Sequence, residues 1–193
     1  VCSSDLIPPS YGISKALLKA FNDKDITYVP EMMVWAINPA SSVAELDDGN
    51  EIPFDLFLGI PEHKVPGVVK ESGLVDDEWV PVDRANLKTS FPNVYAIGDL
   101  TSVGTPKAGM FAMGAARTAA ESIIAEFRGE IYTGSFSGAD SCYVEFGGGK
   151  VARADVDFFS GPAPTGKHFK ASGRLAKEKL ALEKKHLARW FRS

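Results

Sequence analysis

Apolar residues first recur at helical spacing at Leu17, Leu18 and Phe21, and Ser14 stands ahead of them as an N-cap. This predicts a helix opening at Lys15. Ile26-Thr27-Tyr28-Val29 and residues 33–37 have the β-branched and aromatic content of short strands. Asn38-Pro39 turns the chain, and residues 43–46 are predicted as a strand. Asp47-Asp48-Gly49-Asn50 carries hairpin-turn chemistry, and residues 51–54 return from it. The continuous apolar run Leu56-Phe57-Leu58-Gly59-Ile60 is expected to be a buried strand of a central sheet.

Loop residues follow in Pro61-Glu62-His63-Lys64-Val65-Pro66-Gly67, then a short helix over residues 68–72. Trp79-Val80-Pro81-Val82 and Val94-Tyr95-Ala96-Ile97 are predicted strands, the second stopping at Gly98-Asp99. Residues 108–128, rich in alanine and followed by Gly129, are the longest predicted helix. Beyond Tyr132, Cys142-Tyr143-Val144-Glu145-Phe146 alternates as a strand and Gly147-Gly148-Gly149 turns. Residues 150–159 pair back as a hairpin. Pro162 and Pro164 then break the chain, and residues 172–191 are predicted helical, with Ala176, Leu180, Leu187 and Phe191 near one face. Repeats and low-complexity tracts are absent from the sequence.

Composition changes this picture little. Of the 193 residues, 45% are hydrophobic and 24% charged, which suits a chain able to build a core. The net charge of −4 argues against a nucleic-acid partner. Charge is unevenly spread, however: residues 167–193 hold nine Lys/Arg against two Glu, leaving about −11 elsewhere. Such a basic tail is either the solvated face of a helix or a contact for an anionic surface. The chain lacks a run of about 18 apolar residues and does not open on a signal-peptide pattern. Val1-Cys2-Ser3-Ser4-Asp5-Leu6 matches nothing downstream, so residues 1–6 are set aside as a non-native leader. Cys2 and Cys142, 139 positions apart, form neither a disulfide framework nor a zinc site, and no metal site is expected.

The informative stretch is 91–109. A strand ending in Gly98-Asp99 turns sharply, because glycine has no Cβ to obstruct a ligand or neighbouring backbone. The Asp99 carboxylate then faces the crevice beyond the strand's carboxyl end, where it can accept hydrogen bonds from sugar or ribityl hydroxyls. The helix opening at Ala108 points free N–H groups and its positive end toward the same crevice. With Lys107, that charge suits a reduced flavin's anionic edge.

Phe91-Pro92-Asn93-Val94-Tyr95-Ala96-Ile97-Gly98-Asp99 resembles the second FAD-binding motif of flavoproteins with two dinucleotide-binding domains. Pro106-Lys107-Ala108-Gly109 and Asp48-Gly49-Asn50-Glu51-Ile52-Pro53-Phe54-Asp55 resemble segments of the sulfide:quinone oxidoreductase and flavocytochrome c sulfide dehydrogenase group. The similarity runs from Ile7 to Ser193. It implies a Rossmann-like α/β fold, incomplete at the N-terminus, with a C-terminal α+β interface region. Residues 7–60 would then belong to the second dinucleotide domain, 61–129 to the FAD domain and 130–193 to the interface region. The resemblance gives Gly98 and Asp99 to the ribityl chain, and Lys107, Ala108 and Gly109 to the flavin ring. It puts Ile60 and Pro61 on the ring's other side.

Ser141-Cys142-Tyr143-Val144-Glu145-Phe146-Gly147 resembles the segment that carries a redox cysteine in sulfide:quinone oxidoreductases, where a thiolate exchanges sulfur beside the flavin. Read from its residues alone, a strand cysteine such as Cys142 is usually an inert buried residue, and only the resemblance brings the redox reading level with that one. His63 sits in the loop near the expected ring position, while His168 and His186 fall in the basic tail without an assigned task. The Gly-x-Gly-x-x-Gly that grips the FAD pyrophosphate does not occur in these residues, so the chain is not expected to retain FAD alone. The implied activity passes electrons from sulfide or a similar donor through FAD to a quinone or cytochrome. The alternatives are an NADH-dependent flavin reductase, which a complete nicotinamide fingerprint would mark, and a non-catalytic assembly module. The implied location is cytoplasmic or peripheral to a membrane, with contact through the C-terminal helix, whose Trp190, Phe191 and basic residues suit an interface.

Overall fold

The structure, a computed structural model, describes Leu6 and residues 9–191; the rest of the expected leader, with Cys2, lies outside the described residues. The first helix, α1, spans Tyr11–Asn22, one turn earlier than the Ser14 cap predicts. Ser10 takes the N-cap place without a side-chain cap, and Ser14 lies inside the helix, its Oγ donating to Ser10 O at 3.3 Å. The helix start lies close against residues 166–168: a Cβ added at Gly12 would meet His168, and one added at Gly166 would meet Ser10.

Residues 26–29 do not form the expected strand. Ile26 N returns to Phe21 O at 2.9 Å and Tyr28 leans on the Phe21 ring, so the segment closes α1 instead of pairing. A three-stranded antiparallel meander follows: β1 (Val34–Asn38), β2 (Val43–Leu46) and β3 (Glu51–Pro53). The Asp48-Gly49 turn joins the last two, with Gly49 N donating to Leu46 O.

Residues 56–60 are the clearest correction. They form no strand and pair with nothing among the described residues, with Leu58 85% and Ile60 89% exposed. A buried strand needs a neighbour on each side to satisfy its backbone, and among the described residues none lies beside this run. The next helix, α2, spans Gly67–Glu71. The strands expected at 79–82 and 94–97 reduce to single bridges, Val80 parallel to Thr101 and Lys88 antiparallel to Tyr95.

The long helix α3 spans Gly109–Phe127, with Ala108 at its N-cap and Gly129 past its end at φ +68°. The C-terminal part is an antiparallel sheet of β4 (Ala139–Gly147), β5 (Lys150–Asp157) and β6 (Thr165–Ser172), closed by α4 (Gly173–Trp190). Gly147, Gly148 and Gly149 all have positive φ, which accounts for three glycines in the β4–β5 turn. Sequence patterning missed β6. His168 therefore stands half-buried on a strand and not in a basic tail.

Alternation along β5 divides the sheet into two faces. Ala152, Ala154 and Val156 are buried with Phe111 and Ala115 of α3 and Ile13 of α1, forming the core. On the other face Arg153 joins the sheet to α4. Its guanidinium bonds Glu178, pairs with Asp155 and lies 4.3 Å over the Phe169 ring. Tyr143 Oη donates to the same Glu178 at 2.6 Å. That bond first, and Arg153 second, hold the Glu178 carboxyl below the usual carboxylate range. A depressed carboxyl keeps its partners at neutral pH and loses them as pH falls through its lowered pKa.

The residue that docks α4 is Leu175, 1% exposed, just after the N-cap Ser172, whose Oγ accepts from Leu175 N at 3.3 Å. The expected apolar face of Leu180, Leu187 and Phe191 is exposed instead. Leu175→Ala is expected to destabilise the chain by about 2–5 kcal/mol, whereas Leu187→Ala changes stability by less than about 0.5 kcal/mol. Urea unfolding of the two variants measures the difference, and equal losses would contradict this account of α4.

Candidate functional site

The site is built where the bridge at Val80 meets the start of α3. Val80 is fully buried; its N–H donates to Leu100 O at 2.9 Å and its carbonyl accepts from Ser102 N at 3.1 Å. Between these bonds residues Gly98–Leu100 make a single 3-10 turn, with Gly98 at φ +75°. A side chain at Gly98 would be strained there and would also meet Ala112 of α3 at 3.4 Å. Thr101 Oγ1 accepts no such freedom and donates to Gly98 O at 2.9 Å, closing the turn.

Asp99 stands on the outside of that turn. Its carboxylate is exposed and has no hydrogen bond or ion pair among the described residues. Ala108 gives α3 no side-chain cap, and the first intrahelical bond is Ala112 N to Ala108 O, so the first-turn N–H groups are free to bind a ligand. Space beside Gly109 is open: a Cβ there would meet nothing within 4 Å. Gly98, Asp99, Thr101, Lys107 and Ala108 line one small crevice, about 10 Å³, floored by Phe111.

Lys107 is turned inward. Its Nζ donates to Thr101 O at 2.7 Å and lies 3.4 Å from the centre of the Trp79 ring. Burial pushes its ammonium pKa down, and the Asp99 carboxylate opposes that shift. Cys142, on the core face of β4 opposite Ala154, reaches the same helix start: its thiol donates to the Met110 thioether at 3.4 Å. Burial, and then the Asp140 charge, push the Cys142 thiol up, so it is held protonated at neutral pH.

Of the eight residues singled out from sequence, Gly98, Asp99, Lys107 and Ala108 line the crevice, Gly109 follows at the start of α3 and lines the neighbouring groove, and Cys142 reaches the helix start through Met110. Ile60 and Pro61 are not among the lining residues and stand exposed in the unpaired stretch. His63 lines a separate cleft with Trp79, and His186 stacks on Trp190 at 5.0 Å. Trp79 and Met110 were missed, since a tryptophan beside Val80 and a methionine in an alanine-rich helix each carry only a packing signal in sequence.

Residues 5–122, more than half of the chain, match the model of the pyridine nucleotide-disulphide oxidoreductases. The chain belongs to that family. Its fold is the family's FAD/NAD(P)-binding, Rossmann-like fold, present here in part. The chain is 32% identical over 114 residues to the mitochondrial sulfide:quinone oxidoreductase of Schizosaccharomyces pombe, covering 57% of this chain and 25% of that protein. The mitochondrial enzyme of the same name from Mus musculus is 27% identical over 172 residues, covering 80% of this chain and 37% of that one. Among solved structures, the sulfide:quinone oxidoreductase of Aquifex aeolicus superposes with a TM-score of 0.75 at 21% identity, over 94% of this chain and 50% of that one. The chain thus spans between a quarter and a half of the length of these relatives.

The raised Cys142 pKa sets a testable order of reactivity. Iodoacetamide labelling at pH 8 is expected to be slow and to accelerate only above the ordinary thiol range, because the thiolate is the reactive form. Asp140→Asn removes the second cause of the shift and is expected to speed labelling by roughly two- to fivefold. Labelling of Cys142 as fast as a free thiol would refute the burial account.

Proposed function

We propose that this chain supplies the flavin-ring side of an FAD-dependent oxidoreductase that passes electrons from sulfide, or a similar donor, to a quinone. One observation carries the reading: Asp99, an exposed carboxylate with no hydrogen bond or ion pair among the described residues, stands on a closed glycine turn beside the uncapped start of α3. The residues fit the group. Asp99 accepts hydrogen bonds from ribityl hydroxyls, while the free N–H groups after Ala108 and the positive helix end favour an anionic ring edge. The open space beside Gly109 lets a flat ring approach the backbone. Bound there, the flavin supplies two-electron transfer between donor and acceptor.

The chain's other residues have distinct tasks in this reading. Lys107 holds a fixed positive charge under the Asp99 turn, and Cys142 offers the thiol nearest the helix start. As sulfur acceptor, that thiol must first lose the proton that burial holds on it. Residues 7–60 belong to the second dinucleotide domain and 61–129 to the flavin domain, with Ile60 and Pro61 carrying the chain between them.

An open groove of about 1360 Å³ runs from Gly109 and Met110 to His186 and Trp190 of α4, and it is the candidate path for the acceptor. No helix among the described residues is long and apolar enough to cross a membrane. Exposed Leu187, Trp190 and Phe191 beside the basic residues of α4 suit contact with a membrane surface, where a lipid-soluble quinone is found. An NADH-dependent flavin reductase is the second reading. It is favoured by the protonated, core-facing Cys142, which such an enzyme does not need as a reactive thiol.

The test is an anaerobic titration of protein expressed from the complete reading frame. Flavin absorbance that bleaches with sulfide, and a Cys142→Ser variant whose bleaching slows by about tenfold or more, are expected. Bleaching by NADH but not by sulfide establishes the reductase. Protein that takes up no flavin refutes both and leaves an assembly module.

A further inference from the structure

Trp79 has no task in the reading above, yet it touches the one buried cation of the site. The Lys107 ammonium lies 3.4 Å from the centre of its ring while donating to Thr101 O at 2.7 Å. An indole face attracts an ammonium through its quadrupole, and the attraction grows as water is excluded. Water is partly excluded here: Lys107 and Trp79 are half-buried, and they sit against Thr101, 3% exposed, and fully buried Val80.

Trp79 directly precedes Val80, whose backbone holds Leu100 and Ser102 on either side of the turn's exit. One short segment therefore grips the turn twice, by main chain through Val80 and by cation through Trp79. Within the turn, Thr101 N and Oγ1 both donate to Gly98 O, which closes the backbone but does not reach the Asp99 side chain. The Asp99 carboxylate makes no hydrogen bond or ion pair among the described residues, and its charge acts on Lys107 across the turn.

We propose that Trp79 is a positioning residue for Asp99: its indole face holds the Lys107 ammonium against Thr101 O, and this clamp fixes the 98–101 turn with the carboxylate presented outward. What Asp99 then grips rests on the flavin reading, but the clamp does not. Lys107 is accordingly a structural cation, and its exchange for another residue acts on the turn before it acts on any ligand.

Two measurements on protein expressed from the complete reading frame test this, with Trp79→Phe, Trp79→Leu, Lys107→Met and the Trp79→Leu/Lys107→Met pair. The first is amide hydrogen exchange at Thr101 and Ser102, which needs no flavin. Trp79→Leu is expected to speed exchange about fivefold, and Trp79→Phe to recover most of that loss. In the Lys107→Met background Trp79→Leu is expected to add nothing, because the pair acts as one unit. The second is the dissociation constant of FAD on deflavinated protein, expected to rise about fivefold with the same non-additive pattern. Additive losses in either measurement, or equal losses with Leu and Phe, overturn the clamp and leave Trp79 as packing alone. If Trp79→Leu does not fold, Trp79→Met, longer and without a ring face, makes the same comparison with and without Lys107→Met. Non-additive exchange in a protein that takes up no flavin supports the clamp and refutes the flavin reading separately.

Discussion

Val80 gives up both of its backbone groups to the turn that follows Ile97, one to Leu100 and one to Ser102, and its side chain is wholly buried. Those two hydrogen bonds set where the Gly98–Asp99 turn lies relative to α3. The rest of the site follows. With the turn fixed, Gly98 lies close enough to α3 that a Cβ there would touch Ala112, and the helix start is brought beside the Asp99 turn. A buried backbone group without a partner costs about 1–3 kcal/mol, so the bridge resists being opened even though it is only one residue long.

The helix itself is placed by the sheet behind it. Phe111, Ala115 and Ala119 of α3 are buried in one cluster with Ala152, Ala154 and Val156 of β5. The start of the helix meets β4, where the Cys142 thiol donates to Met110. Alternation along β5 sends Arg153 to the opposite face, where it ties α4 to β4 and β5. Thiol and helix anchor are thus consequences of one register, fixed by pairs such as Cys142 with Ala154 and Tyr143 with Arg153. A slip of one residue would exchange their faces.

Local chemistry was legible in the sequence wherever a segment's structure depends on its own residues. The alanine-rich α3 with Gly129 beyond it, the Asp48-Gly49 hairpin and the triple-glycine turn are of this kind. So is the grouping of Asp99, Lys107, Ala108 and Gly109, which are close in sequence as well as in space. Strands joined by a recognisable turn, β1 to β3 and the β4–β5 hairpin, were legible too, but strands whose pairing depends on a more distant neighbour were not. Leu56-Phe57-Leu58-Gly59-Ile60 reads as one and stays unpaired, while β6, with Lys167 and Lys170 among its residues, reads as a basic tail and pairs along its length. Trp79 was invisible as a site residue because its partner, Lys107, is 28 positions away.

On the proposed function, charge at the site suits a ligand that brings its own. Lys107 is shielded by an indole face and a carbonyl, so its positive charge is desolvated and its pKa lowered, with Asp99 acting against that change. The carboxylate is left in water with no partner of its own. In the open crevice this separation costs little, since water screens the exposed carboxylate. Covering the crevice with a flat, mostly apolar ring removes that screening, and both charges then act at lower dielectric. Asp99 would need hydroxyl donors at that moment. The free N–H groups at the α3 start would need an acceptor, and Lys107 would favour negative charge nearby. A ligand that offers hydroxyls along a chain and accumulates negative charge on a ring when reduced satisfies all three demands at once. A ligand with only one of these features leaves a buried polar group without a partner.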